Sequence, residues 1–371
     1  MNKICTVCIM DATDKDITFN SLGICNHCIE SQEKINKYTY SKKESEKNLN
    51  DLFLRIKSRE SKSKYDSIIG LSGGVDSSYM AYLAYVNGLN PLCVHFDNGW
   101  NSNIAIKNIK NIINITGFDL HTEVINWQEF RDLQRSFIQA GVVDIEMLTD
   151  HAIFASLFNK VTKFDIKTVL SGFNYMTEHG MPISWTWSKM DFTNIKAIHK
   201  KFGKKQIKSY PHMSNIKWNM MRRFNYGGVF EDPLNLINYN TDKAKIILKK
   251  KFEWQDYGNK HEESVFTKFY QSYILPKKFS VDKRKVHLSC NIRAGFINRG
   301  EAIKITQIDA YGKDDLRKDK RFVLKKLGFS DEEFDEIMSR SPVPHNYYKT
   351  DQIYIKPLIW FGKIFFGKKK I

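Results

Sequence analysis

The amino-acid sequence predicts an α/β protein with a doubly wound parallel sheet, an N-terminal zinc module and a C-terminal helical region. Two C-x-x-C pairs stand within the first 30 residues, and strand and helix patterns alternate between residues 65 and 172. After residue 191 helical patterns dominate. Such alternation is typical of parallel sheets whose crossover connections are helices. The predicted units are a four-cysteine zinc module (1–30), a polar linker with a helix (31–64), the α/β domain (65–230) and the helical region (231–371).

Short apolar runs rich in β-branched residues predict the strands, and helical periodicity predicts the helices between them. The predicted strands are residues 65–71, 91–96, 120–125 and 168–172. Leu49, Leu52, Phe53 and Ile56 recur at helical spacing and predict a helix in the linker. The other predicted helices are 79–85, 103–115, 128–140, 150–162, 194–202, 242–252, 262–274, 282–297 and 331–339, the last with Ser330 as its N-cap.

Composition limits the class of protein. The 371 residues are 42% hydrophobic and 27% charged, which describes a water-soluble folded chain. The first residues show no apolar signal region, so we expect a cytoplasmic location. The net charge of +17 suits nucleic acid, a nucleotide-linked substrate or an anionic membrane. Because the basic residues are scattered, a solvated lysine-rich surface is the alternative, and no nucleic-acid partner is expected.

Cys5, Cys8, Cys25 and Cys28 form the two C-x-x-C pairs. In a cytoplasmic protein this spacing predicts a zinc site with four cysteine ligands more than disulfides. Four thiolates leave no open coordination position, so the predicted Zn²⁺ is structural. It stabilises a module with too few apolar residues for its own core. A redox pair or an iron–sulfur cluster is the alternative.

Residues 72–78, Ser-Gly-Gly-Val-Asp-Ser-Ser, lie between a predicted strand and a predicted helix. Glycines there let backbone N–H groups approach phosphate oxygens, and the helix dipole favours negative charge. The lysine and the spacing of a Walker loop are missing. We expect Asp76 to hold Mg²⁺ or a lysine, because a carboxylate repels phosphate. The residues expected to hold phosphate are Ser72, Gly73, Gly74, Ser77 and Ser78; a turn without a ligand is the alternative.

Two further polar loops follow predicted strands, where doubly wound sheets bind their ligands. Asp97 ends the second strand and is placed to meet the nucleotide or the metal, although it also fits an ordinary turn. Gly172 and Asn174 follow the fourth strand and offer a close backbone approach for adenine and ribose. Glu178 lies four residues further on and is a candidate for binding metal or substrate.

Asp150 and His151 stand at the start of a predicted helix. Catalytic roles are one interpretation, with His151 as a base. The alternatives are an N-cap for Asp150 and an ordinary solvated histidine.

The loop at residues 72–77 resembles the SGGxDS loop of the PP-loop ATP pyrophosphatases, which have a Rossmann-like fold and cleave ATP between the α and β phosphates. Nearly the whole chain resembles the N-acetyl sugar amidotransferase family, the WbpG and PseA type of surface-polysaccharide synthesis. The segments most specific to this family are residues 97–100, within the resembling segment 95–102, and a late block between residues 257 and 289. The others are the four-cysteine module, residues 72–77, residues 149–152, and residues 172–174 with Glu178.

The resemblance implies an ATP- and Mg²⁺-dependent ligase that converts a sugar acetamido group into an acetamidino group. The substrate is an N-acetylated sugar, free or nucleotide-linked, of lipopolysaccharide O-antigen or of the pseudaminic or legionaminic type. An adenylyl imidate forms first, and ammonia then displaces AMP. The resemblance also implies a separate glutaminase subunit with an ammonia-conducting, cyclase-like subunit.

The late block has no counterpart in a minimal PP-loop fold, so we assign it to sugar recognition, with interhelical salt bridges as the alternative. Its candidate substrate-binding residues are Lys260, His261, Glu263, Lys283, Arg284 and His287. Aromatic residues between lysines near the C-terminus suggest contact with an anionic membrane or a partner, or packing on the protein's own helices. They are Trp360, Phe361, Phe365 and Phe366.

Two other functions compete with this interpretation. A PP-loop enzyme of tRNA thiolation also adenylates a carbonyl, and the positive charge suits RNA. Sulfur transfer, however, needs a thiol or a cluster near the adenylated base, and the remaining cysteines, Cys93 and Cys290, form no second C-x-x-C pair. A non-catalytic zinc-ribbon binding module is the third possibility, and the intact loop at residues 72–77 argues against it.

Overall fold

The structure, a computed structural model, describes residues 3–223, 228–258, 262–355 and 357. Across these ranges the strands form one five-stranded parallel sheet with the order β3-β2-β1-β4-β5. Ile68 of the central strand lies beside Leu92 on one side and Val169 on the other. The strands are β1 Ser67–Gly70, β2 Pro91–Asp97, β3 Leu120–Val124, β4 Thr168–Leu170 and β5 Val229–Glu231.

Successive strand residues point to opposite faces of the sheet, so both faces carry apolar side chains, and helices cover both. Ile69 packs in one apolar cluster, with the helices that precede and follow β1, and Ile68 packs in another, with α6. The helices are α1 Asn26–Ile35, α2 Lys42–Lys57, α3 Val75–Val86, α4 Asn103–Thr116, α5 Trp127–Ala140, α6 Met147–Lys163, α7 Tyr175–Glu178, α8 Phe192–Phe202, α9 Asn215–Arg223 and α10 Thr241–Phe252.

The C-terminal region is helical. Its first helix, α11 Val265–Phe269, continues into a π-helical turn, Tyr270–Ile274. The remaining helices are α12 Leu275–Phe279, α13 Arg284–Arg293, α14 Arg299–Gln307, α15 Lys313–Leu327 and α16 Asp331–Ser339. No helix in the described ranges combines the length and the apolar character that crossing a membrane requires.

The order of the strands creates a crevice. The chain runs from β1 to β2 and β3 on one side, then returns to place β4 on the other side of β1. Connections therefore leave the carboxyl ends of β1 and β4 in opposite directions, which is where such sheets bind ligands. The loops at residues 72–77 and 172–174 both lie at this position.

The four predicted strands, the linker helix α2 and the Ser330 N-cap are confirmed. The strand β5 was not predicted, because three residues at the sheet edge are too few to show alternation. Helices α1, α7, α9, α12, α14 and α15 were not predicted either, and α1 crosses the expected boundary at residue 30.

The N-terminal segment packs against the C-terminal helices. The backbone N–H of Ile9 donates to Ser289 Oγ at 3.3 Å, and Lys285 forms an ion pair with Asp11 at 2.5 Å. Arg299 donates to the carbonyl oxygens of Cys5 and Cys8. The four N-terminal cysteines accordingly share one apolar core with residues of α13.

Candidate active site

The segment after β1 turns sharply against α4. Gly73 has φ +81°, and a Cβ atom there would lie 2.4 Å from the carbonyl oxygen of Ala105. Only glycine meets both conditions without displacing the backbone of α4. The Gly73 carbonyl accepts hydrogen bonds from Asn108 Nδ2 at 3.3 Å and Trp254 Nε1 at 3.0 Å, which fix the turn.

The backbone N–H groups of this loop already face oxygen atoms. Gly74 N donates to Ser72 Oγ at 3.2 Å, and Val75 N donates to the hydroxyl of Tyr257 at 3.2 Å. Gly74 is also the N-cap of α3, with no side-chain cap. Phosphate groups bind in the same way, with their oxygens accepting from backbone N–H groups at a helix N-terminus.

A cavity of about 220 Å³ lies over this loop. Its lining includes the carboxylates Asp76, Glu178 and Glu263, and among the described residues no lysine or arginine contributes to that lining. A polyphosphate would therefore be repelled without a divalent cation. Mg²⁺ typically uses one or two carboxylates together with phosphate oxygens, so the donor set suits it.

Asp76 and Gly172 show how tightly the two switch-point loops approach. The buried hydroxyl of Tyr239 donates to Asp76 Oδ1 at 2.5 Å and orients that carboxylate. A Cβ atom at Gly172 would lie 3.2 Å from the carbonyl carbon of Asp76. The absence of a side chain at Gly172 thus keeps the wall of the cavity open.

A second cavity, of about 330 Å³, adjoins the first, and Ser72 and Glu263 line both. The second cavity is bounded by β1 and β2, by the first turn of α6, and by the C-terminal helical region. Its lining residues from the C-terminal region are Glu263, Ser264, Thr267, Gln271 and Lys283.

Charged side chains of both signs gather at this second cavity. Lys189 forms ion pairs with Asp144 at 2.7 Å and with Asp150 at 3.0 Å. Thr267 Oγ1 donates to Glu146 Oε2 at 3.0 Å. Burial lowers the pKa of Lys283, whose ammonium group lies over the Tyr270 ring at 5.7 Å.

No sequence motif predicts Glu146 or Lys189. The only signal is the presence of three acids, Asp144, Glu146 and Asp150, within seven residues at the start of α6. Asp150 is a residue of the first turn of α6, and the N-cap position belongs to Glu146.

Several residues predicted for the nucleotide site have other surroundings. Ser78 is fully buried within α3 and lines neither cavity, so it cannot hold phosphate in this arrangement. Asp97 Oδ1 accepts from Gly99 N at 2.8 Å and Asn101 Nδ2 at 3.2 Å, which makes it a turn residue. Asn174 is fully buried and caps α7 by accepting from Thr177 N.

His151 does not have the surroundings of a base. It is fully buried, and its Nδ1 lies 2.8 Å from the carbonyl oxygen of Lys189. Its Nε2 accepts from the backbone N–H of Met213 at 3.2 Å. Both ring nitrogens are thus occupied by backbone groups, and burial lowers the pKa of His151 to about 4.

The predicted sugar-binding residues separate into three groups. Glu263 and Lys283 line the second cavity. Arg284 has a structural role, because it pairs with Asp282 at 2.7 Å and donates to the carbonyl oxygen of Ile308. His287, on α13, is not among the described lining residues of either cavity. Lys260, His261 and the aromatic residues of the C-terminus, Trp360, Phe361, Phe365 and Phe366, lie outside the described residues.

The four N-terminal cysteines fit a metal. Their Sγ atoms all lie within 4.8 Å of one another, with Cys5 to Cys28 at 3.9 Å and Cys8 to Cys25 at 3.7 Å. A tetrahedral site with Zn–S bonds of about 2.3 Å has sulfur–sulfur edges of roughly 3.8 Å. Cys5 Sγ also accepts backbone N–H groups from Val7 and Cys25, as a thiolate ligand does.

A parallel sheet with an SGGxDS loop at its switch point defines the class, a doubly wound α/β protein whose loop resembles that of the PP-loop proteins. Residues 263–360 match the family model described as "LPS biosynthesis protein WbpG-like, C-terminal domain". Residues 263–360 are therefore similar to this WbpG-like domain, and the resemblance predicted from the sequence is confirmed there.

Other relatives cover different parts of the chain. An uncharacterized protein of Methanocaldococcus jannaschii is 30% identical over 139 residues, which cover 37% of this chain and 47% of that protein. The chain thus spans about half the length of this curated relative. An NMN synthetase structure from Francisella tularensis has TM-score 0.30 and 17% identity, covering 62% of this chain and 93% of that one. An NAD+ synthetase structure from Burkholderia pseudomallei has TM-score 0.28 and 13% identity, covering 62% and 96%.

Proposed function

We propose that this protein is an ATP-dependent amidotransferase that converts a sugar acetamido group into an acetamidino group during surface-polysaccharide synthesis. One observation carries the proposal: the cavity over the phosphate loop meets a second cavity that the WbpG-like domain helps to line, and Ser72 and Glu263 belong to both. A nucleotide in the first cavity and an acceptor in the second would place their reacting groups at this junction.

The chemistry follows from that juxtaposition. An amide oxygen is a weak nucleophile, so it must be held in line with a phosphorus atom that carries a good leaving group. The acetamido oxygen attacks the α-phosphorus of ATP, the bond to the β-phosphate oxygen breaks, pyrophosphate leaves, and the amide nitrogen releases its proton to solvent. Ammonia then attacks the imidate carbon of the adenylyl imidate, the carbon–oxygen bond to AMP breaks, and the amidine remains.

The residues of the first cavity bind the triphosphate. The N–H groups of Gly74 and Val75 donate to its oxygens, in place of the hydroxyls that accept from them here. Asp76 and Glu178 would hold Mg²⁺, which neutralises charge on the leaving pyrophosphate. In the second cavity Lys283 faces the acceptor, where its ammonium group attracts an anionic substituent or the α-phosphate.

The proposal includes a separate source of ammonia, a glutaminase subunit with an ammonia-conducting, cyclase-like subunit. A glutaminase would need a nucleophilic thiol, and neither Cys93 nor Cys290 is a described lining residue of a cavity. Cys93 is fully buried in β2, where burial raises the pKa of its thiol to about 12. The same surroundings argue against sulfur transfer to tRNA.

The test supplies ATP, Mg²⁺ and a panel of free and nucleotide-linked N-acetylhexosamines to the purified chain, with ammonium or with glutamine. We expect AMP, pyrophosphate and an amidine with ammonium, and no amidine with glutamine alone. Release of ADP and phosphate would overturn the adenylation mechanism. Full amidine formation from glutamine without a second protein would overturn the need for a partner.

A further inference from the structure

Glu146 differs from the other acids around the second cavity. Asp144 is fully buried and Asp150 lies beside it, and both form ion pairs with Lys189. Within the described residues, Glu146 has no such cation partner. Its Oε2 accepts from Thr267 Oγ1 at 3.0 Å, whereas its Oε1 accepts no hydrogen bond from a described side chain or backbone group.

The other titratable group on the β2 side of the cavity is already occupied. His95 Nδ1 lies 3.1 Å from the carbonyl oxygen of Leu71, and Asn101 Nδ2 lies 3.2 Å from His95 Nε2. Nδ1 therefore donates and Nε2 accepts, which leaves no ring nitrogen for a further proton. Burial also lowers the pKa of His95.

Resting on the proposed function, we infer that Glu146 is the proton acceptor of the second half-reaction and that this side of the second cavity is where ammonia attacks. As the nitrogen of ammonia bonds to the imidate carbon, one ammonia proton passes to the Glu146 carboxylate. The carbon–oxygen bond to AMP then breaks with its electron pair, and AMP leaves. The carboxylate returns its proton to solvent or to the amidine product.

The electrostatics of the cavity suit this role. Burial, followed by the neighbouring Asp150 carboxylate, raises the pKa of Glu146 to about 7. The groups that interact with it are Asp150 on α6, Thr267 on α11, Tyr270 on the π-helical turn, and the cations Lys189 and Lys283. A base is most effective when its pKa lies near the working pH. The ionised form is the base, so its contribution grows as pH rises through about 7.

The experiment separates the two half-reactions with Glu146→Gln, which keeps the size of the side chain and an oxygen for Thr267. Adenylation is measured as acceptor-dependent exchange of labelled pyrophosphate into ATP, without ammonia. Amidine formation is measured with ammonium, at a constant concentration of free NH₃ across the pH series. Glu336→Gln, an exposed carboxylate paired with Arg340 on α16, is the matched control.

We expect Glu146→Gln to retain pyrophosphate exchange and to lose amidine formation by on the order of 10²-fold. The native rate of amidine formation should rise with pH near 7, and the rate of the Glu146→Gln variant should lose that rise. Thr267→Val removes the hydrogen bond that lowers the pKa of Glu146, so the midpoint of that rise should move to higher pH.

Two results would overturn the inference alone: equal losses of exchange and of amidine formation in Glu146→Gln, or native amidine formation in that variant. Absence of exchange and of AMP formation in the native protein, with every acceptor of the panel, would instead overturn the proposed function. The two failures are therefore distinguishable.

Discussion

The two cavities that meet at Ser72 and Glu263 are built in different ways. The phosphate loop of the first is one contiguous segment, in which β1 turns through residues 72–74 into α3, and Gly172, Glu178 and Glu263 complete the lining from other segments. The second takes its charged groups from the start of α6, from the segment before α8 and from the turns before α11 and α13. Local backbone geometry shapes the phosphate loop of the first, whereas tertiary packing of distant elements assembles all the charged groups of the second.

This difference suggests a division of labour. The contiguous loop presents fixed N–H groups, which any nucleoside triphosphate can use, because they recognise phosphate oxygens. The dispersed side chains can be exchanged one at a time without disturbing that loop. Substitutions at the first cavity should therefore abolish all chemistry, and substitutions at the second should change how the acceptor and ammonia are used.

The largest effect is expected at Asp76. Asp76→Ala should abolish AMP and pyrophosphate formation with every acceptor, by about 10²–10³-fold or more, because under the proposed function it removes a carboxylate that would hold charge-neutralising Mg²⁺ at the phosphate loop. Quantification of both products decides this, with circular dichroism as the check on folding. A folded Asp76→Ala protein with native turnover would refute the assignment of the first cavity.

The contrast also explains what could be predicted from the sequence. Residues 72–77 carry their geometry locally, so the motif and its position after β1 were predictable, as were β1 to β4. Thr267 and Lys189 become neighbours of Glu146 only through tertiary packing, Thr267 on α11 and Lys189 in the segment before α8. Asp97 was predicted to meet the nucleotide or the metal because of its position after β2. In the structure its carboxylate instead accepts a hydrogen bond within its own turn.

The metal cluster should have the next largest effect, on stability. Cys25→Ser should lose the single bound zinc ion and about 3 kcal/mol or more of unfolding free energy, because the ligand lies in a core shared with α13. Elemental analysis and denaturant titration measure the two quantities. Cys93→Ala is the matched control and should keep its zinc. Iron in the native protein, or a zinc-loaded Cys25→Ser variant, would contradict the assignment.

A smaller and more selective effect is expected at Lys283. Lys283→Met keeps the aliphatic length, removes the ammonium group, and should raise the KM for the acceptor about tenfold, the equivalent of one lost charge-assisted hydrogen bond. The KM for ATP should stay unchanged, because Lys283 lines only the second cavity. Steady-state kinetics with each substrate varied in turn measures both constants. Equal changes in the two would show that the cavities do not divide the substrates.

The smallest effect is expected at Tyr239, which contacts Asp76, a lining residue of the first cavity. Tyr239→Phe keeps the buried ring but removes the hydroxyl that donates to Asp76 Oδ1. A hydrogen bond to a charged group contributes about 1.5–3 kcal/mol, and part of this is recovered when Asp76 still reaches the cation. We therefore expect kcat to fall roughly fivefold at saturating ATP, with the pyrophosphate-exchange rate falling by the same factor. Tyr79→Phe is the control, because its ring lies 5.6 Å from that of Tyr239 without a hydrogen bond to Asp76 in the described structure. If Tyr79→Phe and Tyr239→Phe slow the reaction equally, the effect belongs to aromatic packing, and Tyr239 does not position Asp76.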